Sequence, residues 1–171
     1  SRAEFVALLR RAAALGIDVI PEFDLPGHAR AAVVAMEARH ARLVATDPKA
    51  ASAYRLRDPA DRSRYRSAQF YDDNLIDPGL ASSYRFIDTV AGEVAGLYRE
   101  AGVPLRRLHL GGDEVPAGAW QQSPASQALM RREGLRDMPA LWSHFFHRVE
   151  RIAARHGARL AGWEEMGMRG G

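Results

Sequence analysis

Residues 102–116, Gly-Val-Pro-Leu-Arg-Arg-Leu-His-Leu-Gly-Gly-Asp-Glu-Val-Pro, decide the fold. Gly102 and Pro104 punctuate the chain, and Leu105 to Leu110 then reads as a short strand. The strand breaks into Gly111-Gly112, whose backbone can turn sharply. Two adjacent carboxylates, Asp113 and Glu114, follow at once. If the backbone is extended there, the two side chains diverge and can serve different parts of one ligand. Close like charges also push pKa values apart, so one acid of such a pair is expected to hold its proton near neutral pH. A bare Asp-Glu pair is usually a solvated piece of surface loop. Its place directly after a strand and a double glycine singles this one out.

Outward from this stretch the chain alternates. Upstream, a helix is expected over 78–101, with Asp77-Pro78 as cap and first-turn proline and Phe86, Val90, Val94 and Leu97 as its apolar stripe. Downstream, a helix fits 139–156, with Leu141, Phe145, Val149 and Ile152 as its stripe and Gly157 as its stop. A strand over 158–163 then leads into Glu164-Glu165. At the start, Ser1-Arg2-Ala3-Glu4 has the form of a capping box. Phe5, Leu8, Leu9, Ala12 and Leu15 recur at helical spacing before Gly16, and a strand is expected over 17–22. The repeating unit is helix, short turn, strand, long loop, which argues for a parallel α/β sheet. The long connections, 23–77 and 111–138, both follow strands. In a (β/α)8 barrel that is the face that carries chemistry. A full barrel takes about 250 residues and eight strands. The reading is therefore a partial (β/α)8 TIM barrel: about three parallel strands with flanking helices, truncated at both ends, with residues 1–171 the central part of a single catalytic domain. A small complete α/β domain is the alternative.

Composition narrows the classes. Apolar residues make up 47% of the chain, ample for a packed core. The net charge is +3, and Lys49 is the sole lysine among many arginines. These are interspersed with acids, which describes solvated helix faces rather than a nucleic-acid stripe. The absence of cysteine excludes disulfides, thiolate metal sites and a cysteine nucleophile. No apolar run is long enough to span a membrane. The first residues lack a signal-peptide pattern, which in a segment of a longer chain says nothing about the parent protein.

Two further groups are candidates. Glu22, Asp24 and His28 lie in and after the first strand, and His28 could orient a carboxylate or bind a metal. A histidine in a Pro-Gly turn is more often structural, but this one sits on the strand expected beside the one carrying Asp113-Glu114. Trp163, at the end of the last strand, is either core or an apolar wall for a sugar ring or an acetamide methyl. A metal-dependent hydrolase could recruit Glu22, Asp24, His28, His109, Asp113 and Glu114 as oxygen and nitrogen ligands.

Residues 21–32, PEFDLPGHARAA, resemble the third-strand motif of family 20 glycoside hydrolases, and residues 109–115, HLGGDEV, resemble their catalytic motif. Gly162-Trp163-Glu164-Glu165 resembles the following strand end. Tyr54-Arg55-Leu56, Gln69-Phe70-Tyr71-Asp72 and Asp77-Pro78-Gly79-Leu80 are similar to the bacterial chitobiase branch. The string Gly-Gly-Asp-Glu also resembles diguanylate cyclases, where a hairpin tip carries it and Phe follows, whereas Val115-Pro116 follows here.

The family 20 resemblance implies a β-N-acetylhexosaminidase. Such an enzyme releases terminal, non-reducing β-linked N-acetylglucosamine or N-acetylgalactosamine from oligosaccharides or glycoconjugates such as chitin fragments, with retention. Its nucleophile is the substrate's own 2-acetamido oxygen, and the intermediate is an oxazolinium ion, an exception to the two-carboxylate scheme. By the same resemblance Asp113 orients the acetamide and Glu114 is the general acid and then base. His28 is hydrogen-bonded toward that acid, and Trp163 walls the terminal-sugar subsite. Asp24, Glu22 and His109 are further candidates for substrate contact. No metal or other cofactor is implied, nor any nucleic-acid partner. A bacterial periplasmic or secreted setting is implied. Other parts of the family's pocket would precede Ser1 or follow Gly171, so the isolated segment is expected to be inactive. A degenerate barrel that binds amino sugars without cleaving them is the non-catalytic alternative.

Overall fold

The structure, a computed structural model, describes residues 1–168. Ser1 starts helix α1 (Arg2–Ala14) with the anticipated capping box, Ser1 accepting from the Glu4 N–H and Glu4 reaching back. The buried face differs from the anticipated stripe. Val6 and Leu9 are buried, while Leu8 and Leu15 are about half exposed, at 51% and 56%. The helix rests on its neighbour through a narrow line, with Phe5 edge-on to Tyr98.

Strand β1 is Glu22–Leu25, not 17–22. Pro21 has no N–H to give a ladder, and pairing starts where His109 N donates to the Pro21 carbonyl. Ile17 and Ile20, expected to be strand residues, stay outside it and exposed. The first long connection is not structureless. It contains α2 (Arg30–Leu43) and α3 (Pro48–Ser52). The alanine-rich stretch of α2 favours helix by propensity alone, and with only Val33 fully buried it offers no apolar period to read.

Helix α4 (Ala81–Ala101) begins three residues later than anticipated, with Leu80 rather than Asp77 at its cap. The Asp77 carboxylate is engaged elsewhere. The deeply buried line is Tyr84, Ile87, Ala91, Ala95 and Tyr98; Phe86, Val90 and Val94 flank it half-buried. Small residues at 91 and 95 let the helix lie close to its neighbours, which a stripe of large residues would prevent. Gly102 ends it in the left-handed conformation, φ 72°.

Strand β2 is Arg107–Gly111, and the loop after it holds α5 (Pro124–Glu133). Helix α6 (Met138–Arg155) starts at Asp137, whose side chain accepts from Ala140 N. Its predicted stripe holds: Leu141, Phe145, Val149 and Ile152 are all buried. Strand β3 is Arg159–Ala161 and a short α7 (Glu165–Met168) follows.

The three strands form one parallel sheet in the order β1-β2-β3, in the register Glu22↔His109 and Leu108↔Leu160. This is the α/β arrangement of parallel strands and flanking helices expected for a segment of a (β/α)8 barrel. Leu108 and Leu110 on β2 are almost fully buried in the same core as Phe145 and Val149. Each such side chain contributes about 1.5–3 kcal/mol over an exposed one. This packing fixes the central strand and delivers the three strand ends, at Leu25, Gly111 and Ala161, to one side.

Candidate active site

The turn after β1 is built to meet the turn after β2. His28 takes φ 49°. A Cβ on Gly27 would stand 3.0 Å from the Asp113 carbonyl oxygen, so the two turns touch backbone to backbone. Gly111 and Gly112 have φ 65° and 98°, the reversal anticipated for the double glycine. Glu114 is also left-handed, at φ 50°. The segment is therefore not extended, and the two acids do not diverge. His28 Nε2 lies 3.5 Å from Asp113 Oδ2 and 3.4 Å from Glu114 Oε2. One imidazole nitrogen faces both carboxylates but makes no hydrogen bond to either, so the hydrogen bond anticipated from His28 toward Glu114 is not formed.

Asp24 stands beneath this trio. Its carboxyl is pushed up to about 6, first by burial and then by the charge of Asp113. A cavity of about 210 Å³ is lined by Asp24 and His28 together with Phe23, Leu25, Ile87, Leu108 and Leu110. The carboxyl of Asp24 is thus held toward its protonated form by burial and by a neighbour from the turn after β2, Asp113. Atoms of Asp24, His28 and Asp113 lie within 4.8 Å of one another. Of the six residues that could serve a metal, Glu22, His109 and Glu114 lie outside this group. Glu22 and His109 pair with each other across β1 and β2, His109 Nδ1 lying 3.3 Å from Glu22 Oε1.

The third strand end closes on the second. Trp163 N donates to the Gly111 carbonyl at 2.8 Å. The Trp163 ring stands edge-on to His109, centroids 4.9 Å apart, and is 47% exposed. Trp163 is therefore an exposed ring at the strand ends, not core.

Gln69 was not anticipated as a site residue. Its Nε2 donates to Glu114 Oε2 at 2.7 Å across 45 residues. No spacing rule links a loop glutamine to a carboxylate that far along the chain. Asp77 was read as a helix cap but is a buried anchor. Its carboxylate accepts from Ser123 Oγ, Ser126 Oγ and Gly79 N, tying the end of the first loop to the start of α5.

The family model described as glycosyl hydrolase family 20, catalytic domain, matches residues 1–171. Beta-hexosaminidase B of Pseudoalteromonas piscicida is 41% identical over 166 residues, covering 96% of this chain and 21% of that protein. N,N'-diacetylchitobiase of Vibrio harveyi is 39% identical over 196 residues, with coverages of 96% and 22%. Among solved structures, the family 20 exo-β-N-acetylglucosaminidase of Vibrio harveyi in complex with N-acetylglucosamine aligns with a TM-score of 0.77 at 38% identity, covering 96% of this chain and 22% of that one. The chain spans about a fifth of the length of these relatives.

Proposed function

The chain belongs to glycosyl hydrolase family 20, and on that premise we propose that it supplies the acid–base part of a retaining β-N-acetylhexosaminidase acting on terminal, non-reducing N-acetylglucosamine or N-acetylgalactosamine. The observation that carries this reading is the convergence of Asp113 and Glu114 on His28 Nε2, at 3.5 and 3.4 Å, at the joined ends of two parallel strands.

In this mechanism the substrate's acetamide oxygen attacks the anomeric carbon while Glu114 gives its proton to the departing glycosidic oxygen. Asp113 accepts the acetamide N–H and stands beside the positive oxazolinium that results. An anion fixed there stabilises the transition state more than the neutral ground state. Water then attacks the anomeric carbon as Glu114 takes its proton, and the ring opens to the product with the starting configuration. Trp163 offers its exposed face to the sugar, where a rigid ring gives contact area at low entropy cost. The protein that carries this chain would supply the remaining walls. The mechanism calls on no metal.

The test is the nucleophile. Aryl N-acylglucosaminides with progressively fluorinated acyl groups carry a progressively poorer acyl oxygen. Their turnover by the full-length protein should fall steeply along the series. A flat series would overturn participation by the acetamide.

A further inference from the structure

We propose that Gln69 is a positioning residue for Glu114: a neutral donor that fixes one carboxyl oxygen so that the other presents the proton to the leaving group. This rests on the reading of Glu114 as general acid. The side-chain amide nitrogen of Gln69 is a donor only, and it lies 2.7 Å from Glu114 Oε2. His28 Nε2 lies 3.4 Å from the same oxygen. The Gln69 hydrogen bond and the nearby imidazole nitrogen are both on the Oε2 side, which leaves Oε1 to handle the proton.

The loop that carries Gln69 is built to hold it there. Ser67 N donates to the Tyr71 carbonyl at 2.8 Å, Phe70 N to the Ser67 carbonyl at 2.9 Å, and Tyr71 N to Ser67 Oγ at 3.0 Å. Ser67 is buried, and Phe70 takes φ 66°, a conformation non-glycine residues rarely adopt. Arg30, two residues after His28, clamps the far side. Its Nε donates to Asp73 Oδ1 at 2.7 Å and its guanidinium lies 4.6 Å over the Tyr71 ring. The backbone of Asn74 and Ile76 is bonded to Ala29 and Pro26. The turn that brings His28 to Glu114 is thus stitched to the loop that brings Gln69.

The experiment compares Gln69→Leu and Gln69→Glu in the full-length protein, using an aryl glycoside with a good leaving group and an oligosaccharide with a poor one. Both variants should lose kcat on the oligosaccharide at least tenfold more than on the aryl glycoside, with KM little changed. Gln69→Glu, equal in shape but without the donor, should not rescue the loss. Arg30→Met should show the same pattern more weakly. Equal losses on both substrates, a change confined to KM, or full activity in Gln69→Glu would each overturn the proposal. Glu114→Gln is the control for the underlying reading. If it shows no leaving-group dependence, the acid assignment itself fails; if it does and the Gln69 variants do not, only the positioning role fails.

Discussion

The carboxylate of Asp24 occupies the space that a side chain on Gly111 would need. A Cβ added at Gly111 would collide with the Asp24 carboxylate and stand 2.8 Å from Asp24 Cα, and the backbone there is left-handed at φ 65°. Strand β1 can lie against β2 with Asp24 turned inward because residue 111 has no side chain. Gly111→Ala should cost about 1–2 kcal/mol for the backbone conformation and about 1–3 kcal/mol for overpacking. Urea denaturation of the variant would show a lower midpoint. An unchanged midpoint would mean that the two strand ends are not held as described.

The acid pair should separate by leaving group. On the proposed mechanism Glu114→Gln removes the proton donor and should slow oligosaccharides far more than activated aryl glycosides, whose leaving groups depart without protonation. On the same proposal Asp113→Ala removes the acetamide's partner and should slow every substrate. Steady-state kinetics on both classes checks this. Losses below about tenfold, worth about 1.4 kcal/mol of barrier, for both variants would remove these residues from the chemistry.

Asp24 gives the folded protein a pH dependence of definite sign. Its carboxyl sits near 6 in the folded chain against an ordinary 3.8. Between those values the folded state holds a proton that the unfolded state has released. Its contribution is therefore most favourable below about pH 4 and is lost as pH rises through about 6. Asp24→Asn cannot release that proton. Relative to the unaltered protein its melting temperature should rise between pH 4 and pH 8, and a constant difference across that range would contradict the placement of Asp24 beside Asp113.

Asp77 is only 2% exposed, and burial raises its carboxyl although three donors hold the charged form. Ser126→Ala removes one of those donors and should cost about 1–3 kcal/mol, because the partner left behind is buried. Ser123→Ala should cost about 1 kcal/mol more, since Ser123 also caps α5 by accepting from Ser126 N. Chemical denaturation of the two variants, read side by side, checks the order. Equal and negligible effects would show that the loop is anchored otherwise.

The amino-acid sequence by itself determined the alternation of helices and strands, the double-glycine reversal, the buried face of α6 and the family motif. These are local: a period of 3.6 or 2, or a residue type whose backbone freedom is its own. It also placed His28, Asp113 and Glu114 at strand ends, because parallel strands joined through helices bring those ends to one face. The tertiary structure alone decided which carboxyls meet. Asp24 faces Asp113 across two strands, and Glu114 folds back at φ 50° toward the same imidazole as its neighbour. The structure likewise decided the contact of Gln69 with Glu114, the anchoring of Asp77 in place of a cap, and the face that α4 buries. Each of these depends on atoms from segments remote in the chain arriving together. A linear pattern carries the preference of each segment but not the distances between them.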